Sequence, residues 1–178
     1  DPRTPGRPPP GQAYALWTST SVTPPLDAAY ASDLDGKLLA YMLADPGDGK
    51  PPEWHYAITG KFVSTRMNFS DNSLVGLRAC SSLLIADSFR AAHASWLVGW
   101  TLPRAVPDPD WYFFDRMLGL GSNPSDRVKK AEPPNRPFDV VSVVDAMRRL
   151  GLDTDVTEYG RSSLELLHFG AGPDLILA

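Results

Sequence analysis

The sequence predicts an α+β fold: a single domain in which a mainly antiparallel sheet packs against about three helices, joined by long proline-rich loops. Three features lead there. Apolar residues recur at three- to four-residue spacing in some segments, while aromatic, branched and hydroxyl-bearing residues gather in others with strand character. The chain also holds 18 prolines and 14 glycines in 178 residues, above average usage, and they punctuate the pattern as fixed loops. At this length one core can bury roughly 70% of the extended-chain surface, so no disulfide or metal is needed to hold it.

The first ten residues, DPRTPGRPPP, carry five prolines and no large apolar side chain. Residues 1–12 therefore read as an extended proline-rich arm, and residues 13–178 as one globular domain. Tyr14 to Val22 has strand propensity and is closed by Pro24-Pro25, which cannot continue a ladder. Pro25 and Asp27 start a helix whose face is Tyr30, Leu34, Leu38, Tyr41 and Met42, ended by Asp45-Pro46-Gly47. Trp54 to Phe69 reads as a hairpin or one bent strand with Gly60-Lys61 as its turn. Ser73 to about Trp100 reads as the longest helix, with Asp71 and Ser73 as candidate caps and Leu74, Leu77, Leu84, Ala92 and Trp96 on its apolar face. Pro103 to Asp110 is a stiff loop, and 119–137 a long surface loop without apolar period. Val140, Val143, Val144, Met147 and Leu150 define a last helix that Gly151 terminates. Thr154 to Tyr159 and Ser163 to Phe169 then form a strand pair turning at Gly160-Arg161, with Asp174 to Leu177 as a short edge strand.

Composition removes several function classes. A formal charge of −4 and a pI near 5.3 leave no electrostatic footprint for nucleic acid. Apolar runs of a few residues fall far short of the roughly 20 that span a bilayer, so no membrane partner is expected. Cys80 is the single cysteine, which gives no disulfide framework and points to a reducing, intracellular and cytoplasmic setting, or the interior of a virus particle. The Asn68-Phe69-Ser70 tripeptide fits the glycosylation pattern but matters only in a secreted chain.

Catalytic and ligand motifs are sparse. His55, His93 and His168 have no second histidine or cysteine at metal-ligand spacing, so neither a metal nor a cofactor is expected. On one long helix Cys80 and His93 would stand about 20 Å apart and could not form a nucleophile–base pair. Ser81-Ser82 and Ser162-Ser163 lack the flanking glycines of a nucleophile elbow and read as capping or surface residues. Gly119-Leu120-Gly121 lacks the lysine of a phosphate loop. Asp33-Leu34-Asp35-Gly36 and Asp45-Pro46-Gly47-Asp48-Gly49 lack the closing glutamate of a calcium loop.

Trp17-Thr18-Ser19-Thr20-Ser21 resembles the Ser-Thr-Ser strand of mono-ADP-ribosyltransferases over those five residues. That resemblance implies an alternative catalytic set of Ser19, Thr20 and Ser21, with Glu158 or Glu165 as the late glutamate. The family's earlier arginine would have to be Arg3 or Arg7 in the proline arm. A small-molecule-binding domain is a further alternative.

The leading reading is non-enzymatic: a structural or interaction protein that docks on a larger protein assembly, such as a capsid or a virion-associated surface protein, and that can itself be homo-oligomeric. Pro8, Pro9 and Pro10 of the arm and the run Trp111, Tyr112, Phe113, Phe114 are the expected contacts. Four consecutive aromatics cannot all face one core, and aromatic anchors dominate interface energetics.

Overall fold

The computed structural model describes residues 15–44, 49–102, 108–118, 138–170 and 176–177. The proline arm and the 119–137 segment lie outside the described residues. The α+β class holds, but its strands form two main sheets of three and four strands, mostly antiparallel, with six α-helices among the described residues. Contacts divide the chain into two units, one ending at Asn68 but including Ile85–Ala92, the other made of Phe69–Leu84 and the residues from His93 onward.

In the first unit, strand β3 (Glu53–Thr59) lies between β1 (Ala15–Ser21) and β2 (Leu39–Ala44), antiparallel to both. The helix expected from Pro25 to the Asp45 turn is instead α1 (Pro24–Ala29), α2 (Ala31–Asp35) and then β2. The chain leaves the helix at Gly36 and Lys37, the latter at φ 57°. Tyr41 and Met42 thereby become strand residues opposite Tyr56 and His55. After β3 the chain continues not as a hairpin but as α3 (Gly60–Arg66), because the Thr59 side chain accepts from Phe62 N and caps it. Helix α4 (Ala86–Ala91) completes the unit.

The long helix expected over 73–100 does not form. This stretch holds β4 (Leu74–Gly76), a 3₁₀ turn (Ser82–Ile85), α4 and β5 (Trp96–Trp100). Asn72, Ser81 and His93 all have positive φ and interrupt any helix, so the spacing argument for Cys80 and His93 along one helix lapses. All five β5 residues are buried. A short apolar run buried on both faces carries no period that separates strand from helix, which is why spacing misread it.

In the second unit β5 pairs parallel with β4 and antiparallel with β8 (Gly160–His168), which carries β7 (Thr154–Thr157) on its other side. The hairpin turns at Glu158-Tyr159, two residues earlier than expected, since Thr157 pairs with Gly160. Helix α5 (Asp108–Leu118) absorbs the aromatic run. Helix α6 (Val140–Leu150) begins at Asp139, whose carboxylate accepts from Val141 N at 2.8 Å, and ends, where the sequence indicated, at Gly151 in the left-handed conformation. Its buried residues Val140, Val143, Val144 and Met147 pack with Trp96, Val98, Trp100, Tyr112, Phe113, Met117 and Leu164 into one core. Leu150 stands outside it, 59% exposed. The short strands β6 (Phe138–Asp139) and β9 (Ile176–Leu177) pair antiparallel.

The serine pairs are not surface features alone. Ser82 is buried: its hydroxyl accepts from Trp100 N at 2.9 Å and reaches Leu77 O at 3.4 Å. Gly99 permits this approach, because a Cβ there would meet Ser82 Oγ at 2.7 Å. Ser162, fully buried, exchanges hydrogen bonds with both backbone groups of Leu102. Replacing Ser82 with alanine orphans a buried Trp100 N–H and is expected to lower stability by about 1–3 kcal/mol, read as a shift of the urea midpoint. An unchanged midpoint would show that the hydroxyl bridge contributes nothing.

Candidate functional site

Within the second unit, the first turn of α5 supplies the most developed polar arrangement. Asp110 is buried at 5% exposure, yet its two carboxylate oxygens are both engaged. One accepts from Trp100 Nε1 at 3.3 Å, and the other faces Arg78 Nε at 3.1 Å. Those partners offset the desolvation of a buried carboxylate, which would otherwise be strongly destabilising. Arg78 emerges from the segment after β4, and its guanidinium lies over the Trp111 ring, 5.1 Å from the centroid. Trp111 itself is 41% exposed. A buried carboxylate thus fixes an exposed cation on an exposed indole.

The other three aromatics of the run divide by helical geometry. Tyr112 and Phe113 are buried in the core and Phe114 is partly buried against it, so of the four only Trp111 faces solvent. The hollow beside Asp110, lined by Gly76, Leu77, Val98 and Phe113 among others, has a volume of about 10 Å³. That is far below the several hundred Å³ of a small-molecule pocket.

The first unit holds a tyrosine cluster. Asp27 of α1 accepts from Tyr41 Oη at 2.9 Å and from Tyr56 Oη at 2.6 Å on one oxygen, and Tyr30 meets the Tyr56 ring edge-on at 5.1 Å. Burial, then the Asp27 hydrogen bond and charge, push the Tyr56 phenol well above the ordinary tyrosine range. Its proton is therefore held firmly, and the group serves as a donor that ties α1 to the sheet.

The Ser-Thr-Ser segment lies on β1, an outer strand of the three-stranded sheet, with Ser19, Thr20 and Ser21 exposed. The ladder to β3 shifts register between Trp17 and Ser21. Thr18 Oγ1 fills that irregularity by donating to Tyr56 O at 2.6 Å while accepting from Thr20 N. Next to it, Trp17 is 58% exposed and packs edge-on against His55 at 5.3 Å. The two candidate glutamates belong to the other unit. Glu158 sits in the hairpin turn, where it holds the Tyr159 phenol proton and raises that group's pKa, and Glu165 lies on β8 opposite Gly99. Pro8, Pro9 and Pro10, like Arg3 and Arg7, fall outside the described residues.

His55 lies on β3 and His168 on β8, the latter stacked at 4.0 Å on Trp96, while His93 follows α4 rather than lying within a helix. Among the described residues no group of three His, Cys, Asp or Glu side chains could hold a metal ion, and no helix is long and apolar enough to cross a membrane.

No family model, curated protein or solved structure matches this chain. Its function has to be read from its own residues.

Sequence reasoning singled out Trp111 but missed Arg78 and Asp110. An aromatic run is visible as a string, whereas the pairing of an arginine after β4 with the first turn of α5 exists only once both pack around Trp100. It also missed Val156 and Tyr159, which the β7–β8 hairpin leaves 71% and 66% exposed.

Proposed function

We propose that the protein is a non-enzymatic interaction protein that docks on a larger protein assembly, with Trp111 and Arg78 at the contact. The observation that carries this reading is the exposed Arg78–Trp111 pair held by buried Asp110. Tryptophan and arginine are the residues most enriched at interface hot spots, and a pair already fixed in the free protein loses little side-chain freedom on binding. Trp111 lies outside the buried core and keeps 41% of its surface exposed, so the ring is available to a partner as an aromatic anchor.

The test compares wild type with Trp111→Ser and Arg78→Ala by cross-linking in an extract of the source organism followed by identification of the captured assembly. Each substitution is expected to weaken capture of the same partner at least tenfold, which corresponds to about 1.4 kcal/mol, while circular dichroism and melting temperature stay close to wild type. Undiminished capture by the folded variants, or a wild-type protein that captures nothing, would overturn the reading. A melting-temperature rise with nicotinamide dinucleotide that Ser19→Ala removes would instead favour the transferase-like alternative.

A further inference from the structure

We infer that the second unit pairs with a second copy of this chain through the outer edge of β7, strand against strand, across a two-fold axis at Val156. Strand β7 is an end strand of the four-stranded sheet. Leu164 N donates to Asp153 O at 2.7 Å, and the same register continues through Asp155–Ser162 and Thr157–Gly160. In an antiparallel ladder such hydrogen-bonded residues alternate with residues whose backbone groups turn away from the neighbouring strand. Thr154 and Val156 therefore point their N–H and C=O groups outward, where they have no partner among the described residues. Val156 and Tyr159, at 71% and 66%, are also the most exposed large hydrophobic side chains among the described residues. Edges that must stay unpaired are blunted by lysine, proline or a bulge. The sequence Thr-Asp-Val-Thr of β7 has neither residue, and its ladder to β8 runs without a register shift.

The order of charges along the strand selects a second copy of this same edge as the occupant and fixes the register. With the axis at Val156, the two Val156 residues stand opposite each other and exchange both backbone hydrogen bonds. Asp155 of each copy then stands opposite Thr157 of the other, and no acid lies directly across from an acid. Moving the axis to Asp155 sets the two Asp155 side chains opposite each other, and moving it to Thr154 sets Asp155 against Asp153. Like charges placed so are destabilising. Moving it to Thr157 carries Val156 past the end of the strand to the Glu158 turn. The axis at Val156 leaves the Asp155 side chains only diagonal to one another, about 7 Å apart, a repulsion that physiological salt screens. It also buries the branched apolar residue that β7 otherwise leaves in water.

The experiment is sedimentation velocity of the full chain from about 5 µM to about 1 mM at an ionic strength of about 0.15 M. A reversible monomer–dimer equilibrium is expected with Kd on the order of 100 µM, because so short a strand pair lies at the small end of protein interfaces. Val156→Lys places two ammonium groups on the axis and should raise Kd at least tenfold with an unchanged circular dichroism spectrum. Val156→Thr keeps the branched shape and both backbone bonds, so its Kd should stay within about threefold of wild type. Amide hydrogen exchange gives a second readout: protection of Val156 N–H should rise with protein concentration in the wild type and stay flat in Val156→Lys. A wild-type chain that remains monomeric up to about 1 mM, or a dimer whose Kd Val156→Lys leaves unchanged, would overturn the assignment. Trp111→Ser and Arg78→Ala should leave this dimer intact, and its loss in either would transfer the contact to the docking site and refute the β7 edge, so the two proposals fail separately.

Discussion

Replacing Trp100 with alanine is expected to destabilise the protein by about 3–5 kcal/mol, the range for removing a buried aromatic. Trp100 is completely buried at the end of β5, the strand between β4 and β8, and sits opposite Leu164 in the core that α6 covers. Its loss opens a cavity in a core whose other members, Val144 and Met147 with no exposed surface among them, can fill it only by leaving their rotamers. The same indole also donates to Asp110. Trp100→Phe, which keeps most of the apolar volume but no N–H, is expected to lose about 1–3 kcal/mol and to loosen Arg78. The urea midpoint reads the first effect, and capture of the docking partner reads the second. Against a total stability of order 5–15 kcal/mol, the Trp100→Ala loss is a large share of what holds the fold. A midpoint shift corresponding to less than about 1 kcal/mol would mean that this core collapses around the gap.

Asp27→Ala is expected to lower stability by about 2–3 kcal/mol, because two phenols lose one charged acceptor and the Tyr56 hydroxyl has little water to replace it. The pH dependence makes the mechanism specific. Tyr56 has a folded pKa above its unfolded value of about 10, so the folded state binds the proton more tightly. That stability is fully present below about pH 10 and is lost as pH rises through the folded pKa, by at most about 1.4 kcal/mol per pH unit. Tyr56→Phe should remove this alkaline component, and Asp27→Ala should shrink it without abolishing it, since burial is the larger cause. Difference curves of urea midpoint between pH 8 and 11 test the point. A wild-type curve parallel to that of Tyr56→Phe would refute the linkage.

What could be read from the sequence was whatever one segment decides alone. Helix α6 was legible because its apolar period and Gly151 are local and agree with each other, while its Asp139 cap emerged only from the structure. Strands β1, β7 and β8 were legible because their residues have nothing else to do at that spacing. The 73–100 segment was not, because leucines and tryptophans at helical spacing fit buried strands equally well until β5 has β4 and β8 to pair with. Tyr41 changed from helix face to strand for the same reason: the Lys37 turn and pairing with β3 outweighed a weak propensity. The candidate site follows the same division. Trp111 stood out in an aromatic run that no single face could bury, and the helix did sort that run by side. Which ring reached solvent, and that a buried Asp110 would join Trp100 to Arg78, required packing. The sequence by itself determined the α+β class, the last helix and hairpin, and the excess of aromatics over one face. Tertiary structure alone decided the strand identity of the chain's middle and the charge arrangement around Trp111, because pairing and desolvation are energies between distant segments.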